Sequence, residues 1–369
     1  MIDVLVSNLI RIKTMTAMLF LASLFLLLGC DSQRAADDLY AAHRWSGETM
    51  GTYYRITIVE DIDAQDGIDL TLAKQRVEQQ LDEIIASMST YEVDSEISQF
   101  NRLQANQCLP VSQSLLDVVT LSFEINAKSL GAFNPLVAPL VERWGFGSSS
   151  ADFVYPDENE IARLLARADM SALSIDDTAQ SLCKSADIEL DLSAIAKGYA
   201  VDRIADQLAA LSATNYLVDV GGELIVAGHN PTGQAWRLAI EKPVFRLGEI
   251  EQLVGLTDVA IATSGDYRNF FEYQGKRYSH TIDVRTGYPV QHNLASVSVI
   301  ADTAAEADAW ATALTVLGEK HARQLVDEQG LAVYLIKREN SSANEPESTE
   351  SEETVTAWYS EQFSPYILQ

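Results

Sequence analysis

The chain has 369 residues, enough for one large domain or two small ones. Its 47% apolar and 21% charged content is that of an ordinary globular protein and excludes a disordered or fibrous class. A net charge of −27 argues against a nucleic-acid binder, because most of the surface would repel phosphate.

The N-terminus reads as an export signal. Arg11 and Lys13 supply basic charge, and Thr16 to Leu28 is a nearly unbroken apolar run ending in Leu27-Leu28-Gly29-Cys30. A spanning helix needs about 20 apolar residues. The run therefore suits a signal-peptide core better than the alternative, an uncleaved anchor helix with an incidental Cys. A small residue followed by Cys is the pattern of a lipoprotein cleavage box. Residues 1–29 would be removed, the Cys30 thiol acylated, and the acyl chains would hold the protein on a membrane. Asp31 resembles the signal that keeps lipoproteins on the inner membrane of Gram-negative bacteria, so the expected location is the periplasmic face of that membrane. Residues 30–44 are small and polar and read as a tether, leaving 45–369 as the folded domain.

Tyr53 to Val59 is rich in β-formers and predicts a strand. Val77, Leu81, Ile84, Ile85 and Met88 recur at helical spacing and predict a helix over 72–88. A second helix over 115–130 is stopped by Gly131, Asn134-Pro135 breaks regular structure, a loop begins at Trp144, and a short helix follows over 160–168. Ser193 to Leu211 predicts a helix with Ser193 as N-cap. Strands over 216–220 and 224–227 flank the Gly221-Gly222 turn, and 236–240 is another strand. Strands 267–273 and 277–282 form a hairpin around Gln274-Gly275, and 295–300 is a buried strand. Thr303-x-x-Glu306 is a capping box opening a helix to Leu317. Residues 331–336 and 355–363 pair across the Glu-rich segment 339–353, which reads as a solvated, disordered loop. Hairpins outnumber βαβ units, so the fold class is α+β with a largely antiparallel sheet. Cys108 and Cys183 fit either a disulfide or two buried thiols, and no Cys/His cluster has zinc spacing.

Three segments carry residue types suited to chemistry. In Asp191-Leu-Ser-Ala-Ile-Ala-Lys197-Gly198, a lysine lies in the first turn of a helix, where the macrodipole disfavours a cation. An anion sharing that helix terminus would account for it, and Gly198 would let a ligand or strand approach closely. The plainer alternative is a surface Lys beside a packing Gly. In the second segment, Asp308 and Thr312 are i and i+4 on one helix face, able to ligate a hard cation through oxygen or simply to face solvent. The third runs from Ser264-Gly-Asp-Tyr267 through Tyr278-Ser-His280-Thr-Ile-Asp283 to Gly287. His280 is the candidate proton acceptor near neutral pH, although a lone strand His is more often structural. Asp283 is the second candidate, and Asp283 and Arg285 are placed to pair in a turn.

Together, and behind a lipoprotein signal, these segments resemble the FAD:protein FMN transferases, the ApbE family. The resemblance runs from about Trp45 to Phe363 and includes Met50-Gly-Thr52, Ser89-Thr-Tyr91, Gly131-Ala-Phe-Asn-Pro135 and Val220-Gly-Gly-Glu223. It implies a tunnelling-fold-like architecture, FAD as substrate and Mg2+ as cofactor. The family moves the FMN half of FAD onto a Thr or Ser hydroxyl of a partner protein and releases AMP. By resemblance, Asp308, Thr312 and the backbone oxygens of Ala194 and Ala311 would hold the metal. Met50, Tyr91, Ala132, Phe133, Asn134, Asp191, Lys197 and Ile282 would bind FAD, with Tyr91 placed to stack on the flavin. Expected acceptors are membrane redox-complex subunits, such as those of sodium-pumping quinone reductases. The same residues would serve an Mg-dependent FAD pyrophosphatase, in which water replaces the acceptor hydroxyl; a non-catalytic FAD-binding lipoprotein is the third reading. Asn134 and Glu223 stand where many relatives carry Asp.

Overall fold

The protein is described by a computed structural model covering residues 39–63, 67–147, 153–243, 248–265, 270–339 and 354–368. The signal segment, Cys30, most of the tether, Asp266-Tyr267 and nearly all of the acidic segment lie outside the described residues.

Strands β1 (Tyr40–Thr49) and β2 (Thr52–Asp61) form the first hairpin. Strand β1 thus takes in residues 40–44, which the expected boundary at residue 45 assigned to the tether. The tether reading missed β1 because it is an edge strand with one half-exposed face, and its apolar pattern is weak. Its turn, Met50-Gly51, has positive φ at both residues (48° and 71°), the backbone of a two-residue primed turn that matches strand twist. Helix α1 (Leu70–Met88) is capped by Asp69. A short helix α2 (Glu96–Asn101) and strand β3 (Gln107–Pro110) follow, neither anticipated from sequence. Helix α3 (Gln113–Lys128) starts at an Ser112 cap and is followed by the short helices α4 (Ala138–Arg143) and α5 (Glu158–Leu165). Strands β4 (Leu173–Asp176) and β5 (Ser181–Lys184) join β3 in a small sheet. There Cys108 and Cys183 lie directly opposite each other and form a disulfide, which decides the alternative left open above.

Helix α6 (Ala196–Ala210) begins later than expected. Ser193 is not its cap: the Ser193 N–H donates to Asp191 Oδ1 at 2.8 Å, so Asp191 turns the chain before the helix starts. Strands β6 (Tyr216–Val220) and β7 (Glu223–Ala227) pair around Gly221-Gly222. Strands β8 (Trp236–Glu241) and β9 (Ile250–Leu256) form a separate two-stranded layer, and β10 (Val259–Gly265) returns to the main sheet. The hairpin β11 (Phe270–Tyr273) and β12 (Lys276–Ser279) turns at Gln274-Gly275, as the sequence predicts. Two short strands, β13 (Ile282–Asp283) and β14 (Tyr288–Pro289), lead into the central strand β15 (Leu294–Ala301). Helix α7 (Ala304–Gln329) is capped by Thr303 as predicted but runs past Leu317. Gly318 has φ 71° and breaks it into two stretches, which is why its periodicity stops there. Strands β16 (Ala332–Arg338) and β17 (Val355–Tyr359) pair across the acidic segment as predicted, but β17 stops at Tyr359, short of the expected Phe363, which lies in a 3-10 turn.

The main sheet has the order β1-β2-β6-β7-β10-β15-β16-β17, with antiparallel pairing throughout. One face buries Ile56, Val218, Ala260, Ala262, Val297 and Val299 beneath the helices. The other buries Val226, Ile261, Ile300 and Ile336 beneath β8–β9 and a C-terminal 3-10 turn over 361–366. A third cluster, centred on the fully buried Trp144 and joined by Tyr278 and Ile282, lies beside α4 and α5.

Candidate active site

A cleft of about 1120 Å³ opens at the sheet end marked by the β6–β7 turn. Its polar wall comes from two helices in close contact. Gly198, one residue into the chain from Lys197, faces the start of α7. A Cβ there would lie 2.2 Å from Ala304 O and 2.7 Å from Ala305 Cα. The close approach expected at this glycine is therefore made by a helix, not by a ligand or a strand. It brings the Gly198 N–H to Asp308 Oδ2 at 3.2 Å. A residue that sequence reasoning missed locks the junction from α6: buried Asp202 accepts from Ala304 N at 2.7 Å and Ala305 N at 2.9 Å, capping α7. Only its partners in the fold reveal it, since nothing local marks Asp202.

Lys197 Nζ lies 3.1 Å from Glu223 Oε1 and 3.8 Å from Asp308 Oδ2. Burial works against the ammonium, but the two carboxylates outweigh it and raise its pKa. Burial also raises Glu223 and Asp308, opposed by Lys197 and, at Asp308, by the Gly198 N–H. The lysine is therefore a fixed cation in the first turn of α6, shared by two carboxylates. Glu223 Oε2 is buried without a partner among the described residues.

The orphaned oxygen and an all-oxygen donor set suit a hard divalent cation. Asp308, Thr312 and Ala194 all line the cleft. Ala311 is fully buried behind it, and its carbonyl accepts from Thr315 Oγ1 at 2.8 Å.

The remaining predicted residues divide. Tyr91 is 70% exposed on the rim, with its ring face available for stacking. Ala132, Phe133, Asn134, Asp191, Ile282 and His280 line the cleft, and the Asp191 N–H donates to Pro135 O at 2.8 Å, tying their two loops together. Asn134 donates to Ala168 O at 2.9 Å and accepts from Leu136 N at 2.8 Å. An aspartate could not make the first bond, which gives a structural reason for the amide here. Met50 sits in the β1–β2 turn, packed on the core and outside the cleft lining. Asp283 is outside the lining too; its carboxylate is held in two bonds by Arg285, Nε and Nη2 both at 2.8 Å, as the turn predicts. The lining also includes Arg55, stacked over Tyr53 at 4.2 Å and bridged to Asp219 at 3.2 Å, which carried no sequence signal.

Comparison with known proteins gives the family. The ApbE family model matches residues 50–335. The chain is 39% identical over 355 residues to the FAD:protein FMN transferase of Klebsiella pneumoniae (strain 342), covering 94% of this chain and 96% of that protein. It is 38% identical over 358 residues to the enzyme of the same name from Escherichia coli (strain K12), covering 96% and 97%. The solved structure of Pseudomonas stutzeri flavinyl transferase ApbE, apo form, superposes with a TM-score of 0.79 at 34% identity, covering 88% of this chain and 96% of that one. The flavin transferase ApbE from Vibrio cholerae gives 0.77 at 34% identity, covering 89% and 99%. With its antiparallel sheet, its paired helices and the Lys197–Asp308 junction in the matched region, the chain belongs to the ApbE family.

Proposed function

We propose that the protein transfers FMN from FAD to a Thr or Ser hydroxyl of an acceptor protein, releasing AMP. The observation that supports this best is the packing of Lys197 and Asp308 in one cleft, held by Gly198 and Asp202. The acceptor oxygen forms a bond to the FMN phosphorus, the pyrophosphate bridge breaks, AMP departs, and the acceptor proton passes to His280. Such transfer depends on alignment and charge neutralisation more than on covalent help from the enzyme. Lys197 and the N-terminus of α6 neutralise the pyrophosphate charge. Tyr91 stacks on the flavin, and the loops carrying Phe133 and Asp191 orient the nucleotide. Magnesium would be held by Asp308, Thr312 and the Ala194 and Ala311 carbonyls, supplying Lewis-acid stabilisation of the same charge.

The export signal and Cys30 support a lipid-anchored protein on the periplasmic face of the inner membrane, acting on redox-complex subunits whose acceptor residue faces the same space. The test is AMP release measured with and without acceptor. AMP formed one-for-one with modified acceptor, and lost with a chelator, is expected. AMP formed equally fast without acceptor would make the protein an FAD pyrophosphatase, and no AMP at all would make it a flavin-binding protein.

A further inference from the structure

The cleft has two lobes of different chemistry, divided by the end of the main sheet. Side chains alternate along β7, so Glu223 points to Lys197 on the helix face while Leu224 points to the opposite face. That second lobe is apolar, lined by Leu224, Leu238, Ile240, Val254 and Ile261. With both lobes, the volume exceeds the usual range for a single small ligand, about 300–1000 Å³.

The wall of the apolar lobe is a strand edge. Leu238, Ala239, Ile240 and Glu241 all line the cleft, although successive residues of a strand face opposite sides. Four in a row can do so only where the cleft runs along the edge of β8. Among the described residues β8 pairs with β9 alone. The register sets Ala239 opposite Leu253, and the Leu253 carbonyl is turned away from β8 to accept from Leu368 N at 2.9 Å. Ala239 and Leu253 are therefore a non-hydrogen-bonded pair, and the Ala239 N–H and C=O point outward at the open edge. Arg237, two residues earlier, repeats the geometry. Both residues are exposed.

We infer that the open edge of β8, with the apolar lobe beside it, docks the acceptor protein as an added β-strand that delivers its Thr or Ser to the polar lobe. This rests on the transferase reading above, which requires a second substrate whose hydroxyl reaches the cleft. Strand addition supplies main-chain hydrogen bonds for affinity and leaves alternate side chains to fill an apolar groove for selection. An edge this open also invites unwanted pairing, so an occupant gives it a use.

The test is Ala239→Pro in the full chain. It removes one outward N–H and none of the β8–β9 ladder, so the thermal midpoint should stay close to wild type. The probe is the acceptor domain of a redox-complex subunit, purified without flavin so that its Thr or Ser hydroxyl is free. The expected result is a KM for that domain raised at least tenfold with the FAD Kd, from flavin fluorescence, unchanged. Ala239→Cys carrying a benzophenone should also crosslink to the acceptor and not to a control protein. Should wild type modify the domain while Ala239→Pro shows an unchanged KM and no crosslink forms, docking at β8 is overturned and the transferase reading stands. A raised FAD Kd would assign the lobe to the nucleotide and also overturn the proposal. Wild type that fails to modify the domain would overturn both.

Discussion

Gly198→Ala tests whether helix contact builds the polar wall. The added methyl would sit 2.2 Å from Ala304 O, 2.5 Å from Ala304 C and 2.7 Å from Ala305 Cα. These are backbone atoms of α7, so no side chain can swing away; the two helices must part. Overpacking of this kind costs about 1–3 kcal/mol. Alanine recovers about 1 kcal/mol of helix propensity. The net loss is therefore up to about 2 kcal/mol, visible as a fall of up to a few degrees in Tm. The effect on turnover is larger. Parting the helices lengthens the 3.2 Å bond from Gly198 N to Asp308 and moves Asp308 from Lys197. Misplacement by about 1 Å at reacting groups lowers rate by about 10²-fold. The assay is differential scanning fluorimetry beside FMN transfer to an acceptor. A Tm equal to or above wild type with full transfer would refute the reasoning, because it would show that helix propensity outweighs the contact and that the contact does not set the site.

Asp308→Ala should keep the fold and lower transfer by two to three orders of magnitude, with magnesium dependence lost; wild-type turnover at limiting magnesium would reject its role. His280→Ala should lower transfer by about 10²- to 10⁴-fold with FAD affinity kept, whereas Asp283→Asn, whose wild-type carboxylate is held by Arg285, should change the transfer rate only a few-fold. Burial pushes Asp202 up from 3.8 to about 6, against the two backbone N–H groups it accepts. The folded state then binds the proton more tightly than the unfolded chain, so this group makes stability fall as pH rises from about 4 to about 6. The difference is worth on the order of 3 kcal/mol, and urea unfolding across that range should show the slope in wild type and not in Asp202→Asn. Reducing the Cys108–Cys183 disulfide, which spans a sequence separation of 75, should cost about 2–4 kcal/mol in denaturant unfolding without changing FAD affinity.

Much of the framework is legible locally. Thr303 and Glu306 announce α7, the Gln274-Gly275 turn marks its hairpin, and the 3.6-residue spacing of Val77, Leu81 and Ile84 gives α1. Lys197 in a first helical turn and Asp308–Thr312 on one face point to the site because an unfavourable cation and paired oxygens are local facts. What sequence does not show is contact across distance. The Asp202 cap joins residues 102 apart, and nothing near Asp202 hints at it. Gly198 is visible as an oddity, but its neighbour in the fold is not. Short elements such as α2 and β3 to β5 hold too few residues for a period to emerge. At β1, alternation is blurred because an edge strand needs only one apolar face, and that weakly. At Ser193 a good capping residue was present, but the chain turns at Asp191 and α6 starts only at Ala196, with Ile195 in the cap position.

The measurement that tests the central claim most directly is the intact mass of an acceptor domain incubated with the protein, FAD and magnesium. Transfer predicts a gain of one FMN less one water on a single Thr or Ser, abolished by chelator and by Asp308→Ala. An unchanged acceptor mass in the presence of accumulating AMP and free FMN would contradict it.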